Sequence, residues 1–212
     1  MLAKAGLLAL LVAAPIRPAL AETVIAALGD SLTQGYGLPD GDGFVPQLQA
    51  WLDDRGADAR IVNAGVSGDT SAGGLSRVEW TLTPEVDGMI VALGGNDLLR
   101  GLDPGVTRAN LAGILDAADA AEVAVLLVGL EAPGNYGAEY QSAFDAIYPD
   151  LAASYDTLLE PDFLGALSAV EDRRGAMRDY MQPDGIHPNA DGVARIVDAL
   201  GPQVLRLIER AG

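Results

Sequence analysis

The chain has no cysteine among its 212 residues, and it has one lysine and one histidine. The missing cysteine excludes disulfides, a lipid anchor on cysteine and zinc sites of the Cys/His type. The one lysine is Lys4, so a Schiff base or a serine–lysine pair would depend on that residue. The one histidine is His187, and proton transfer near neutral pH through an unperturbed side chain must use it.

The N-terminal segment has the three parts of an export signal, and its apolar run is too short to span a bilayer. Lys4 lies in its positive start, residues 5–14 form a short apolar run, and Ala19-Leu20-Ala21 fits an A-x-A cleavage site. The apolar run is about half of the roughly 20 residues that a membrane-spanning helix needs. We therefore predict that residues 1–21 are a signal peptide, and that residues 22–212 form a single domain that is periplasmic or secreted.

Basic residues are scarce, with 13 lysines and arginines against 30 acidic residues and a formal net charge of −17. Cleavage of the predicted signal peptide would remove Lys4 and Arg17 but no acidic residue, so the charge would fall to −19. Such a charge disfavours nucleic acid, anionic membranes and polyanionic ligands. We expect a monomer that acts on a small molecule, with no nucleic-acid partner and no stable membrane anchor. The excess of acid could equally serve only solubility.

Short apolar segments alternate with segments of helical spacing along the chain. The predicted strands are residues 23–28, 59–62, 86–93, 123–130 and 157–159. The predicted helices are residues 44–52, 104–121, 140–153 and 190–210, the last interrupted or kinked at Gly201-Pro202. This alternation, without repeats or a long linker, predicts one α/β domain: a three-layer α/β/α sandwich around a mainly parallel five-stranded sheet.

Polar turns follow the first three predicted strands. Ser31 comes directly after the first, Gly68 lies in the turn after the second, and Asn96 follows the third. Open parallel sheets place their ligands at the carboxyl ends of the strands, so these turns are expected to converge. Each has a structural alternative: Asp30 and Ser31 could merely cap a turn, and Asn96 could occupy a left-handed backbone position.

One further loop carries the only histidine. Asp184 lies three residues before His187, in a segment with Gly185 and Pro188 that can turn sharply. A lone histidine is often just solvated or structurally satisfied. A carboxylate and an imidazole presented by one loop favour a joint role in proton transfer if a nucleophile lies near.

Four sequence blocks stand in order along the chain. They are Gly29-Asp30-Ser31-Leu32, Val66-Ser67-Gly68-Asp69, Gly94-Gly95-Asn96-Asp97 and Asp184-Gly185-Ile186-His187-Pro188-Asn189. This pattern resembles the GDSL or SGNH hydrolases, and it is most similar to the exported arylesterase, thioesterase I and lysophospholipase L1 group. The resemblance implies the flavodoxin-like fold of that family and hydrolysis of carboxylic esters through an acyl-enzyme intermediate, without metal or cofactor.

The resemblance also implies a role for each matching residue. Ser31 would be the nucleophile, His187 the general base and then acid, and Asp184 the group that orients the imidazole. The backbone N–H groups of Ser31 and Gly68 and the side-chain amide of Asn96 would form the oxyanion hole.

Two loops are expected to bind the acyl chain. By the same resemblance, Leu98 and Leu99 would help to cover it, although they could equally begin a helix packed on the core. The Gly-rich loop over residues 131–140 is predicted to form a wall, with Ala132, Pro133 and Tyr136 in contact with substrate. Glu131 departs from the thioesterase I pattern, where this position looks basic. Its charge leads us to rank neutral aryl or short- to medium-chain alkyl esters above thioesters and lysophospholipids.

Three alternatives share some or all of these motifs. A carbohydrate acetyl esterase would have the same four blocks, and a serine peptidase would form the same type of acyl intermediate. A catalytically silent protein could hold a lipid or glycan in the groove. Retention of Ser31, Asp184 and His187 argues against the silent protein, since binding alone does not require all three.

Overall fold

The computed structural model of the chain describes residues 22–212, so the predicted signal peptide over residues 1–21 lies outside the described residues. Its single sheet has five strands: β1 (Thr23–Gly29), β2 (Ala59–Gly65), β3 (Gly88–Ala92), β4 (Ala124–Val128) and β5 (Leu158–Glu160). Every pairing is parallel, and the strand order is β2-β1-β3-β4-β5. The predicted α/β fold is confirmed, and the described sheet is parallel throughout.

Helices cover both faces of the sheet. They are α1 (Ser31–Gln34), α2 (Phe44–Asp53), α3 (Ser71–Thr81), α4 (Gly95–Leu99), α5 (Pro104–Ala120), α6 (Ala138–Asp145), α7 (Ile147–Tyr155), α8 (Gly165–Ser168), α9 (Arg173–Tyr180) and α10 (Ala190–Ala211). One 3₁₀ turn spans Gly134–Tyr136. Among residues 22–212, no helix combines the length and the apolar character needed to cross a membrane.

Strand β1, which lies between β2 and β3, shows how the layers form. Val24 and Leu28 point into a core shared with α3, α5 and α7, whereas Ile25 and Ala27 point into a second core shared with α2 and α10. Successive side chains of a strand face opposite sides of the sheet, so a continuous apolar run is buried on both faces. This explains why the N-terminal run of the described chain forms an interior strand of the sheet.

Two helix predictions were wrong in detail. The helix expected over residues 140–153 is two helices that meet at Ala146, and the first of them begins at Ala138 within the predicted loop. Pro149 explains the break, because it has no N–H to continue the ladder and fits only the first turn of a helix. The helix predicted to be interrupted or kinked at Gly201-Pro202 is not interrupted, since α10 continues through Pro202. Buried Leu200 and Val204 on either side anchor it to one core.

Strand boundaries also shifted. β2 continues to Gly65 and so includes residues expected in a turn, while β3 and β4 are shorter than predicted. β5 is displaced by one residue toward the C-terminus. Residues 161–183, which gave no clear pattern, contain α8 and α9. The turns after β1, β2 and β3 all leave the same edge of the sheet, where the candidate site lies.

Candidate active site

Ser31 is the first residue of α1 and follows β1 after a single residue. That intervening residue, Asp30, caps the helix: its Oδ1 accepts a hydrogen bond from Leu32 N at 3.0 Å. The capping alternative is therefore realised for Asp30, while the Ser31 side chain stays free to bond elsewhere. The tight strand-to-helix turn fixes Ser31 at the carboxyl edge of the sheet.

The loop that carries His187 is closed by its own hydrogen bonds. Asp184 Oδ1 accepts from the backbone N–H groups of Ile186 at 3.0 Å and His187 at 3.1 Å. At the base of the loop, Gln182 N donates to His187 O at 2.8 Å, and Met181 pairs with Pro188 in an antiparallel bridge. These bonds hold a carboxylate and an imidazole on one rigid turn.

The structure brings Ser31, His187 and Asp184 into one hydrogen-bonded line. His187 Nε2 lies 2.8 Å from Ser31 Oγ, and His187 Nδ1 lies 2.6 Å from Asp184 Oδ2. The hydrogen bond from the His187 ring, together with the N–H groups of Ile186 and His187, lowers the pKa of Asp184 to about 2. An ionised carboxylate can only accept, so Nδ1 carries the proton of a neutral ring. Nε2 is then free to accept the Ser31 hydroxyl proton.

Asn96 is the second residue of α4, immediately beyond β3. The left-handed position in this turn is taken by Gly94, with φ of +117°, so the alternative proposed for Asn96 is excluded. The Asn96 amide donates to Asp30 Oδ2, with 3.3 Å between Nδ2 and the oxygen. Burial raises the pKa of Asp30 to about 6, although its hydrogen bonds with Leu32 and Asn96 oppose that rise.

Gly68 lies in an exposed turn after β2. Asp69 N donates to Val66 O at 3.1 Å, Gly68 has φ of +84°, and Ser67 has no positive φ, which together define a type II turn. The hydrogen bond of the turn uses the N–H of Asp69 rather than that of Gly68. Gly68 lies outside the lining of the groove described below, among the residues that the structure describes.

Two arginines hold this turn in place, and sequence reasoning missed both. Arg100 donates from Nη2 to Gly68 O at 2.9 Å. Arg77 pairs its Nε with Asp69 Oδ2 at 2.7 Å and also donates from Nη2 to Gly29 O at 2.9 Å. The turn after β2 is thus tied to the end of β1. No local pattern around either arginine points to carbonyl partners so distant in sequence.

A buried carboxylate next to Asn96 was also missed. Asp97 is fully buried and accepts hydrogen bonds from Ser71 N at 2.7 Å and Thr107 Oγ1 at 3.2 Å, as well as from the Ser71 hydroxyl. These partners begin α3 and α5, so Asp97 joins both helices to α4. The sequence showed an acidic residue, Asp97, at the end of the block Gly94-Gly95-Asn96-Asp97. Its hydrogen-bond partners lie too far away in sequence for local patterns to predict them.

A groove of about 820 Å³ contains Ser31, Asn96 and His187 in its lining. All five residues predicted to bind substrate line it: Leu98, Leu99, Ala132, Pro133 and Tyr136. Leu98 is buried in the core, as the structural alternative predicted, whereas Leu99 is 57% exposed. Tyr136 O–H donates to Leu99 O at 3.2 Å, which fastens the 3₁₀ turn to α4.

Part of the remaining apolar lining comes from a region that the sequence left uninterpreted. These residues include Leu164 and Leu167 near α8, and Ala176 and Met177 on α9. The charged residues of the lining beyond Asp30 and His187 are Glu131, Asp162 and Arg173. Within residues 22–212, no group of three or more histidine or acidic side chains is arranged to hold a metal ion. The groove therefore offers an apolar surface beside the Ser31 hydroxyl.

Known proteins resemble this chain over most of its length. A model of the GDSL-like lipase/acylhydrolase family matches residues 27–195. The esterase TesA of Pseudomonas aeruginosa is 40% identical over 191 residues, covering 90% of this chain and 91% of the relative. The thioesterase 1/protease 1/lysophospholipase L1 of Escherichia coli (strain K12) is 38% identical over 200 residues, covering 93% and 90%. The chain is also similar to the crystal structure of AlinE4, an SGNH-hydrolase family esterase, with a TM-score of 0.71. The match has 46% sequence identity and covers 87% of this chain and 96% of that one.

Proposed function

The chain belongs to the GDSL-like lipase/acylhydrolase family and is a carboxylic ester hydrolase, and we propose that Ser31, His187 and Asp184 carry out its reaction. The observation that supports these roles is the line of hydrogen bonds from Ser31 Oγ through the imidazole to Asp184, with 2.8 Å and 2.6 Å between the bonded atoms. A serine hydroxyl is too weakly acidic to attack an ester unaided, and His187 supplies the neighbouring base.

In the acylation step, Ser31 Oγ attacks the ester carbonyl carbon while His187 Nε2 takes the hydroxyl proton. The tetrahedral intermediate collapses when the bond to the alcohol oxygen breaks, and His187 returns its proton to that oxygen. Water then attacks the acyl-enzyme, again with His187 as base, which releases the carboxylic acid and restores Ser31. Asp184 stays ionised throughout and stabilises the imidazolium.

The negative charge of both tetrahedral intermediates falls on the former carbonyl oxygen. The backbone N–H groups of Ser31 and Gly68 and the amide of Asn96 are the donors proposed for it. Asp30 holds one hydrogen of the Asn96 amide, which leaves the second for the oxyanion. Donors that are already oriented stabilise charge at little reorganisation cost, and each is typically worth about 10²–10³ in rate.

Neutral aryl or short- to medium-chain alkyl esters are the preferred substrates in this proposal. The groove is mostly apolar, which suits an uncharged acyl chain. Glu131 lies in its lining, and the chain carries a formal net charge of −17. Both repel acyl-CoA and anionic phospholipids. Relatives with names that include thioesterase and lysophospholipase make these the next substrates to compare.

Residues 1–21 act as a cleaved signal peptide in this proposal. The mature domain is then periplasmic or secreted and works as a monomer. N-terminal sequencing of protein recovered outside the cytoplasm tests the cleavage after Ala21, and an intact Met1 in that material would contradict it. Sedimentation of the purified domain tests the monomer.

The decisive experiment is steady-state hydrolysis of p-nitrophenyl esters with two to twelve acyl carbons. Wild type is compared with Ser31→Ala and His187→Ala, with circular dichroism as the control for folding. Loss of about 10³-fold or more in kcat/KM is expected in both variants, because the two groups act as one unit. Retention of wild-type activity by either folded variant would refute the proposed roles. The chain length with the highest kcat/KM then measures the usable length of the groove.

A further inference from the structure

The two side chains that must meet for proton transfer lie on segments far apart in sequence. Ser31 begins residues 31–43, here called the nucleophile segment, and His187 lies in residues 181–190, here called the histidine loop. The bond between His187 Nε2 and Ser31 Oγ therefore joins residues 156 positions apart. Its length depends on whatever else holds the two segments together.

The side-chain amide of Gln182 bridges the two segments. Its Nε2 donates to Tyr36 O at 2.8 Å, on the nucleophile segment, and to Pro188 O at 3.0 Å, on the histidine loop. The two hydrogens of Nε2 thus donate to one carbonyl on each of the two segments. The backbone N–H of Gln182 adds a bond to His187 O at 2.8 Å. A single residue is therefore tied both to the segment of the nucleophile and to the base itself.

The partner of Gln182 is closely connected to Ser31. Tyr36 N donates a hydrogen bond to Ser31 O at 3.1 Å. The residue whose carbonyl accepts from Gln182 is therefore itself hydrogen-bonded to the backbone of Ser31. The Tyr36 ring also lies against the His187 ring, with 4.8 Å between centroids. Gly37 has φ of +75°, and a Cβ there would collide with Gln182 Oε1. The positive φ and the close approach of the Gln182 side chain both favour glycine at this position.

A second glutamine repeats the arrangement one step away. Gln47 Nε2 donates to Asp42 O at 2.7 Å, at the end of the nucleophile segment, and to Ala190 O at 3.0 Å, at the end of the histidine loop. Gln182 and Gln47 together place two bridging amides between the segments. A neutral amide suits this task, because its two N–H groups can satisfy two carbonyls without introducing a charge.

We propose that Gln182 is a positioning residue for the hydrolase reaction, which holds His187 at bonding distance from Ser31, and that Gln47 is a second, more distant positioning residue. This inference rests on the proposed function of Ser31 and His187. Misplacement of a catalytic group by about 1 Å can cost about 100-fold in rate, so a clamp on this distance acts on kcat. It leaves the groove, and hence KM, largely unchanged.

The test replaces Gln182 by Met and, separately, by Glu, since both substitutions keep the approximate size and remove the two donors. With p-nitrophenyl butyrate, kcat is expected to fall about 10- to 100-fold while KM changes less than about twofold. Gln47→Met should lower kcat by a smaller factor. The matched control is Gln203→Met, which removes a hydrogen bond from the side-chain amide to Leu159 O on β5. Its kcat should equal that of wild type.

A second comparison separates positioning from a general loss of structure. In a His187→Ala background the clamp has no base to position, so Gln182→Met should change the residual rate less than about twofold. An equal loss in both backgrounds, or a loss confined to KM, would overturn the inference. Full activity of Gln182→Met beside an inactive His187→Ala would also overturn it while leaving the proposed function intact. Full activity of His187→Ala would instead refute the proposed function.

Discussion

The Asn96 amide is held by the residue directly before Ser31, the proposed nucleophile, with 3.3 Å between Asn96 Nδ2 and Asp30 Oδ2. The same carboxylate accepts from Leu32 N, on the other side of Ser31. One buried side chain therefore fixes both the helix that begins at Ser31 and the donor proposed for the oxyanion. The turn after β1 and the turn after β3 are coupled through this contact, so a change at Asp30 should alter more than local structure.

Asn96→Ala is expected to lower kcat for p-nitrophenyl butyrate by about 10²–10³-fold and to change KM by less than about threefold, because the lost donor acts on charge that develops in the transition state. Initial rates over a range of substrate concentrations provide both constants. Asn110→Ala is a control for the loss of an asparagine near α4, because the Asn110 amide donates its hydrogen bond to Ser71 Oγ rather than to Asp30. A rise in KM with unchanged kcat would show that Asn96 only binds the ester.

Asp30→Asn is expected to change how stability depends on pH. Burial raises the pKa of Asp30 from 3.8 to about 6, with His187 and Asp69 as its titratable neighbours. Between these two values the folded chain holds a proton that the unfolded chain releases, so this group favours folding at low pH and loses that contribution as pH rises through about 6. The shift corresponds to about 3 kcal/mol at most.

The measurement is urea unfolding of wild type and Asp30→Asn at pH 4, 5, 6 and 7. The free energy of unfolding of the variant, relative to wild type, should rise by about 2 kcal/mol from pH 4 to pH 7, because part of the full effect is already lost at pH 4. Any constant cost of the substitution cancels in this comparison. A difference between the two proteins that stays flat with pH would rule out a raised pKa at Asp30.

Gly68→Ala tests the backbone donor of the proposed oxyanion hole. Gly68 has φ of +84° and open space where a Cβ would lie, so the substitution imposes backbone strain without a clash. About 1–2 kcal/mol of stability should be lost, and kcat should fall about tenfold or more as the N–H moves.

Gly56→Ala is the matched control for Gly68→Ala, because Gly56 also has a positive φ, of +69°, and open space around its Cβ position. It follows α2, at a distance in sequence from each catalytic block. Both variants should lose similar stability by urea unfolding, but Gly56→Ala should keep wild-type kcat. Equal kcat in the two variants would show that Gly68 has no role in catalysis.

Glu131→Gln should raise kcat/KM for acyl-CoA by about three- to tenfold at low ionic strength and leave neutral esters almost unchanged, since it removes a like charge from the groove lining. The gain should shrink at high salt as screening increases. Glu209→Gln makes the same charge change on α10, outside that lining. If both variants gain equally, the effect comes from net charge rather than from Glu131.

Local patterns predicted most of the architecture. The run from Thr23 to Leu28 was a buried strand, and the alternation of strands and helices gave the observed parallel sheet. Errors fell where neighbours outweigh propensity: Pro202 stays inside a helix because buried residues on both sides anchor it. The short helices α8 and α9 escaped prediction because their apolar residues are few and face the groove as much as the core.

The sequence by itself determined which chemistry was available. One histidine left His187 as the candidate for a general base, the absence of cysteine removed whole classes of site, and four short blocks indicated the family. These conclusions depend only on residue identity and local spacing, which can be read from the sequence without the folded structure. The polar turns after the strands were predictable for the same reason, since strand ends are marked by short-range sequence signals.

Only the tertiary structure decided how these groups are held. The bonds of Gln182 to Tyr36 and of Asp97 to Ser71 join residues 146 and 26 positions apart. Such partners are chosen by the packing of helices on the sheet, because a hydrogen bond requires a donor and an acceptor within about 3 Å in space, whatever their distance in sequence. The identity of the reacting groups is thus local, whereas their geometry belongs to the whole fold.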